Sequence, residues 1–107
     1  MTTFDDREQA FEAKFALDQE QEFRATARRN KMLGLWAAEK MGLSPESAAQ
    51  YAAAVVRADM DQPGDEDVFR KIAGDFKASG LTFSEGELRS KMDEFASITR
   101  EQIRAGE

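Results

Sequence analysis

The 107-residue chain contains no cysteine and no histidine. The first absence removes disulfides, thiolate nucleophiles and cysteine-held zinc, and the second removes the commonest general base and transition-metal ligand. Neither a Walker-type nor a dinucleotide-type glycine loop is present, so no phosphate cradle is built into the sequence. Long apolar runs are lacking too: no stretch approaches the ~20 apolar residues of a bilayer span, and no basic start leads into an apolar signal segment. The protein is expected to remain in the cytoplasm, without direct membrane insertion. Alternating β-branched runs are missing, which leaves no strand signal. With most catalytic parts gone, no enzyme activity and no cofactor are expected.

The remaining composition is 34% charged and 41% apolar, enough for one helical core under a charged exterior. Twenty-one acidic residues against fifteen basic give a net charge of −6. Such a surface repels phosphate backbones and anionic lipid, so nucleic acid is not an expected partner.

Four helical stretches follow from periodicity and punctuation. The first carries Phe23, Ala27, Met32, Leu33, Leu35, Trp36, Ala37 and Met41 at helical spacing and ends at Gly42, a left-handed cap. Ser44 and Pro45 read as an N-cap and first-turn proline for a second helix, with Ala48, Tyr51, Ala52, Val55, Val56 and Met60 on its apolar face. A third starts near Asp65 behind Gln62-Pro63-Gly64, buries Val68, Phe69, Ile72, Ala73 and Phe76, and closes at Gly80. Ser84 to Glu87 fits a capping box for a fourth, whose stripe is Leu88, Met92, Phe95, Ile98 and Ile103. The spacing predicts an all-α fold. Short connections favour an up-down four-helix bundle, with a looser orthogonal packing as the alternative.

The N-terminal segment differs from the rest. Residues 1–22 carry a local charge of −5, whereas residues 23–42 carry +4. Phe4, Phe11 and Phe15 share an arc of about 40° at 100° per residue, and the same line continued reaches Glu22, away from the stripe through Phe23, Ala27 and Met41. A straight first helix therefore cannot turn this row into the core. Three readings remain: the row folds back on the bundle across a bend, it dimerises, or it orders in the groove of a partner with its aromatics as anchors. The last makes it a binding element, and an isolated helix of that length is expected to be mobile until it binds.

Other constellations fail. Asp59, Asp61 and Gly64 match positions of a calcium loop, but Pro63 and Arg70 stand where ligands are required. The carboxylate pairs Glu8/Glu12 and Asp93/Glu94 read as solvated faces. Arg24, Arg28, Arg29 and Lys31 read mainly as intrachain counter-charge, and any weak nucleotide contact would depend on them.

The opening Thr3-Phe4-Asp5-Asp6-Arg7-Glu8, then Ala10-Phe11-Glu12-Ala13-Lys14-Phe15-Ala16, and Ala27-Arg28-Arg29-Asn30-Lys31 running into Leu33-Gly34-Leu35-Trp36-Ala37-Ala38 resemble the zeta inhibitor subunit of the alphaproteobacterial F-type ATP synthase. The resemblance covers essentially the whole chain. It implies a four-helix bundle over residues 19–107 and an inhibitory segment over residues 1–18. That segment enters the catalytic head between alpha and beta subunits near gamma and blocks ATP hydrolysis. In role alone it is similar to the mitochondrial ATPase inhibitor protein. Carried onto this chain, the partner-binding residues are Phe4, Asp5, Arg7, Glu8, Phe11, Lys14 and Phe15, and the bound protein sits at the cytoplasmic face of the inner membrane. The competing reading is a helical adaptor or assembly protein acting through its folded surface.

Overall fold

The computed structural model describes residues 17–61 and 64–107. They form four helices and, among the described residues, no strand: α1 (Gln19–Lys40), α2 (Pro45–Asp61), α3 (Asp65–Ala78) and α4 (Glu85–Arg104). The punctuation works through hydrogen bonds. At the end of α1, Gly42 takes φ +74° while its N–H donates to Glu39 O and that of Leu43 to Ala38 O, both at 3.0 Å, so carbonyls the helix leaves unpaired find donors. The end of α3 repeats this pattern at Gly80, with Leu81 N–H donating to Phe76 O at 2.9 Å. Ser44 Oγ accepts from Ser47 N–H at 3.2 Å and opens α2.

At α4 only half of the expected capping box forms. Ser84 Oγ accepts from Glu87 N–H at 3.3 Å, but the Glu87 carboxylate pairs with Lys40 across the α1–α4 contact at 2.8 Å. An ion pair between helices competes with the local cap for the same side chain, and here it holds it.

The helices make a four-helix bundle with α1 as its spine. Every other helix packs on α1, while no Cα of α2 lies within 8 Å of one of α4. Two pairs set α4 antiparallel to α1: Lys40 meets Glu87 at 2.8 Å and Glu22 meets Arg100 at 2.6 Å. The α1–α2 approach is closest at Gly34, where a methyl would stand 2.6 Å from Ala52 Cα. A bare Cα on one helix and an alanine on the other are what that separation requires. The alanine-rich middle of α2 thus has a packing role.

The core gathers Leu33, Ala37, Val55, Val68, Ile72, Phe76, Leu88 and Met92. Phe76 is its centre, edge-on to Trp36 at 5.9 Å and to Phe83 at 5.2 Å. The short helix α3 closes this end of the bundle. Towards the N-terminus of α1 the packing thins, and this explains three departures from the apolar stripes: Phe23 and Met60 are each 60% exposed, and Ile98 is exposed as well, whereas Leu35 is exposed on the outer side of α1 at the core end. Where only two helices flank α1 and do not meet, apolar positions on the open side have nothing to cover them.

Candidate partner-binding site

Phe4, Asp5, Arg7, Glu8, Phe11, Lys14 and Phe15 all lie outside the described residues, as do residues 1–16 of the segment 1–18 expected to be mobile. The structure describes the platform to which that segment is joined. At the junction Asp18 has φ −71° and ψ 172°, extended backbone that breaks any helix entering from upstream. Its Oδ1 accepts from Gln21 N–H at 2.7 Å, and Gln21 Oε1 accepts from Asp18 N–H at 3.2 Å. This is a complete capping box, in which each side chain satisfies a backbone donor that the first turn leaves free. The Asp-x-x-Gln spacing was legible in the sequence and is the N-terminus signal that the reading by apolar stripes passed over.

Beside the junction a groove of ≈ 420 Å³ runs between α1 and α2, lined by Gln19, Glu22, Phe23, Thr26, Ala27 and Asn30 from α1 and Val56, Asp59 and Met60 from α2. Its lining is mostly apolar, and of its two acidic residues Glu22 pairs with Arg100 and Asp59 accepts from Gly64 N–H. Asn30, 1% exposed, forms part of the wall. Its Oδ1 accepts from Arg29 Nε at 3.0 Å and from Arg29 Nη2 at 2.6 Å, whereas its Nδ2 has no partner among the described residues. One amide oxygen thus satisfies two guanidinium donors, and the amide's own donors stay unused.

The same guanidinium joins two helices. Arg29 is 5% exposed and donates through Nη1 to Asp65 Oδ1, at the start of α3, at 2.8 Å. A buried cation costs several kcal/mol to desolvate unless it is paired and hydrogen-bonded, and Arg29 is both. Arg28 donates to Gln102 Oε1 at 3.2 Å and to the carbonyl of Glu107 at 2.8 Å, tying α1 to the end of α4. Of the four cations in the basic cluster, Arg29 is thus an intrachain counter-charge, Arg28 is held by neutral acceptors of α4 and the residues after it, and Arg24 and Lys31 are exposed.

Asp59 of the degenerate calcium loop and the acidic residues that follow it are likewise engaged within the chain. Asp59 Oδ1 accepts from Gly64 N–H at 3.3 Å, Asp65 takes Arg29, and Asp67 takes Arg70 at 2.7 Å. No three acidic residues gather as a metal site among the described residues. Tyr51 donates its phenol to Asp75 Oδ2 at 2.7 Å. Burial, followed by this hydrogen bond and the carboxylate's charge, pushes the phenol well above its ordinary range.

The described residues thus form a helical bundle tied together by caps and inter-helix polar contacts, with an apolar groove at the junction to the N-terminal segment. Residues 1–102 match the family model described as ATPase inhibitor subunit zeta, and the chain belongs to that family. A solved structure, determined by solution NMR, shares 41% identity over 80% of this chain and 98% of its own, with a TM-score of 0.68. Comparison with curated proteins returns no match. No described helix is long and apolar enough to cross a membrane.

Proposed function

We propose that the chain restrains ATP hydrolysis by the F-type ATP synthase, with residues 1–18 inserting as a helix into the catalytic head between alpha and beta subunits near gamma. Residues 19–107 act as the folded carrier, and the complex sits at the cytoplasmic face of the inner membrane. The chain itself catalyses nothing in this scheme. The observation that carries the reading is that the family match begins at residue 1 and so takes in the phenylalanine row together with the bundle. The capping box at Asp18 supports the division, because α1 is properly started without the residues before it.

The substitutions Phe11→Ala and Phe15→Ala test the proposal. A buried aromatic anchor commonly contributes ~2 kcal/mol or more, so each loss weakens inhibition at least about tenfold. Hydrolysis by isolated ATPase heads is expected to recover in the double variant while its thermal midpoint stays at the wild-type value. Full inhibition by that variant would overturn the insertion mechanism. It would leave the adaptor reading, in which the exposed Phe23 and Met60 of the α1–α2 groove meet the partner.

A further inference from the structure

We infer that the outer face of the α1–α2 pair is a second contact with the partner, by which the folded carrier docks on an acidic protein surface of the ATPase head. This inference rests on the proposed restraint of that enzyme. The argument starts from how the cations are used. Eight of the described arginines and lysines are held in ion pairs, Arg29, Lys40 and Arg100 among them. Arg24, Lys31 and Arg57 are exposed and have no carboxylate partner among the described residues. The chain has an excess of carboxylates, at a net charge of −6, yet these cations are left unmatched.

Helix geometry gathers them on one surface. Arg24, Lys31 and Leu35 stand at i, i+7 and i+11 of α1, within an arc of about 40°. That arc lies about 120–160° around the helix from Arg29, which reaches Asp65 of α3. On α2, Ala49, Ala53 and Arg57 lie about 120–160° from Tyr51, which reaches Asp75 of α3. Both sets are therefore on the side of the pair turned away from α3, and the close approach of Gly34 to Ala52 joins them. All of these residues but the two that reach α3 and the two at the crossing are exposed, and Glu20 and Glu46 mark the two ends of the face. Arg24 and Lys31 are ~10 Å apart along the axis, so the cations are spread along a strip and do not converge on a single phosphate. The charge of the whole chain repels nucleic acid and anionic lipid. Leu35, Ala49 and Ala53 give the strip a low apolar floor among the charges. Its complement is a protein surface with carboxylates set around small apolar side chains. Together with the inserting segment, such a contact makes binding bivalent and chiefly speeds association.

The combined substitution Arg24→Gln, Lys31→Gln, Arg57→Gln in the full chain tests this, with binding to isolated ATPase heads followed by biolayer interferometry. Association is expected to slow at least about tenfold at ~20 mM salt, and the deficit to shrink towards ~300 mM as screening shortens the reach of the charges. The thermal midpoint should stay at the wild-type value, because no ion pair among the described residues is broken. A charge-preserving variant, Arg24→Lys with Arg57→Lys, should associate like the wild type. Wild-type association by the triple variant, a deficit that salt does not change, or a loss confined to binding of phosphatidylglycerol vesicles would overturn the inference. The two ideas fail separately. If the face is wrong, the triple variant associates normally although the double phenylalanine variant loses inhibition. If insertion is wrong, the phenylalanine variant inhibits fully while the triple variant still associates slowly. A wild-type chain that does not bind the heads at any salt would overturn the proposed function, and this inference with it.

Discussion

Gly34→Ala is the sharpest test of how α1 and α2 are packed. The new methyl would stand 2.6 Å from Ala52 Cα, 3.2 Å from Ala52 Cβ and 3.3 Å from Val55 Cγ2. The nearest atom belongs to the backbone and cannot swing aside, so the two helices must part. Overpacking of this kind costs about 1–3 kcal/mol. Opposing it, alanine is favoured over glycine within a helix by about 1 kcal/mol. The clash is against rigid backbone, so the net expectation is a loss of about 1–2 kcal/mol, or about 5–15 °C in midpoint for a domain of this size. Gly74→Ala in α3 supplies the control, since a methyl there meets nothing within 4 Å and should stabilise by about 0.5–1 kcal/mol. Thermal melts followed by far-ultraviolet circular dichroism read both signs. A rise in midpoint for Gly34→Ala comparable to that for Gly74→Ala would refute the close approach.

Phe76→Ala removes the ring at the centre of the core and should cost about 3–5 kcal/mol, visible in denaturant titration as a lower midpoint, in contrast to the phenylalanine substitutions upstream of Asp18. Asp18→Ala should cost about 1 kcal/mol and raise amide exchange in the first turn of α1, because Gln21 N–H loses its acceptor. Tyr51 adds a pH dependence. Its folded-state pKa lies above the unfolded value, so its stabilising contribution is complete below about pH 10 and declines as pH rises further. Melts from pH 8 to 11 should show a fall that is smaller in Tyr51→Phe.

Most helix limits were legible because they depend on local chemistry. Ser44-Pro45, Gly42, Gly80 and Ser84 each act on the backbone within a few residues, and the structure places helix ends at all of them. The apolar stripes were legible where a helix is flanked by neighbours, as with Leu33, Ala37, Val55 and Phe76. They misled at Phe23 and Met60, because periodicity tells which residues share a face but not whether another helix arrives to cover it. That two helices flank α1 without meeting is a tertiary fact, and the groove exists because of it. Glu87 departs for a related reason: the capping motif is local, whereas its stronger partner, Lys40, is forty-seven positions away. The same limit explains Asn30, whose buried amide faces the groove through packing that no spacing rule encodes. The phenylalanine row was readable as a row from sequence alone, since three residues on one line need no tertiary knowledge.

The arrangement around α1 governs how sequence change spreads through the molecule. Because no Cα of α2 comes within 8 Å of one of α4, substitutions on the faces these helices turn to α1 act on largely separate interfaces, and their free energies should come closer to adding than those of substitutions within one interface. Changes on α1 have no such independence: a shift that suits α2 at Gly34 is felt by α4 through Arg28 and Glu22. Compensation between the two flanking helices is thus written through the helices that pack on both, the spine α1 and the short helix α3.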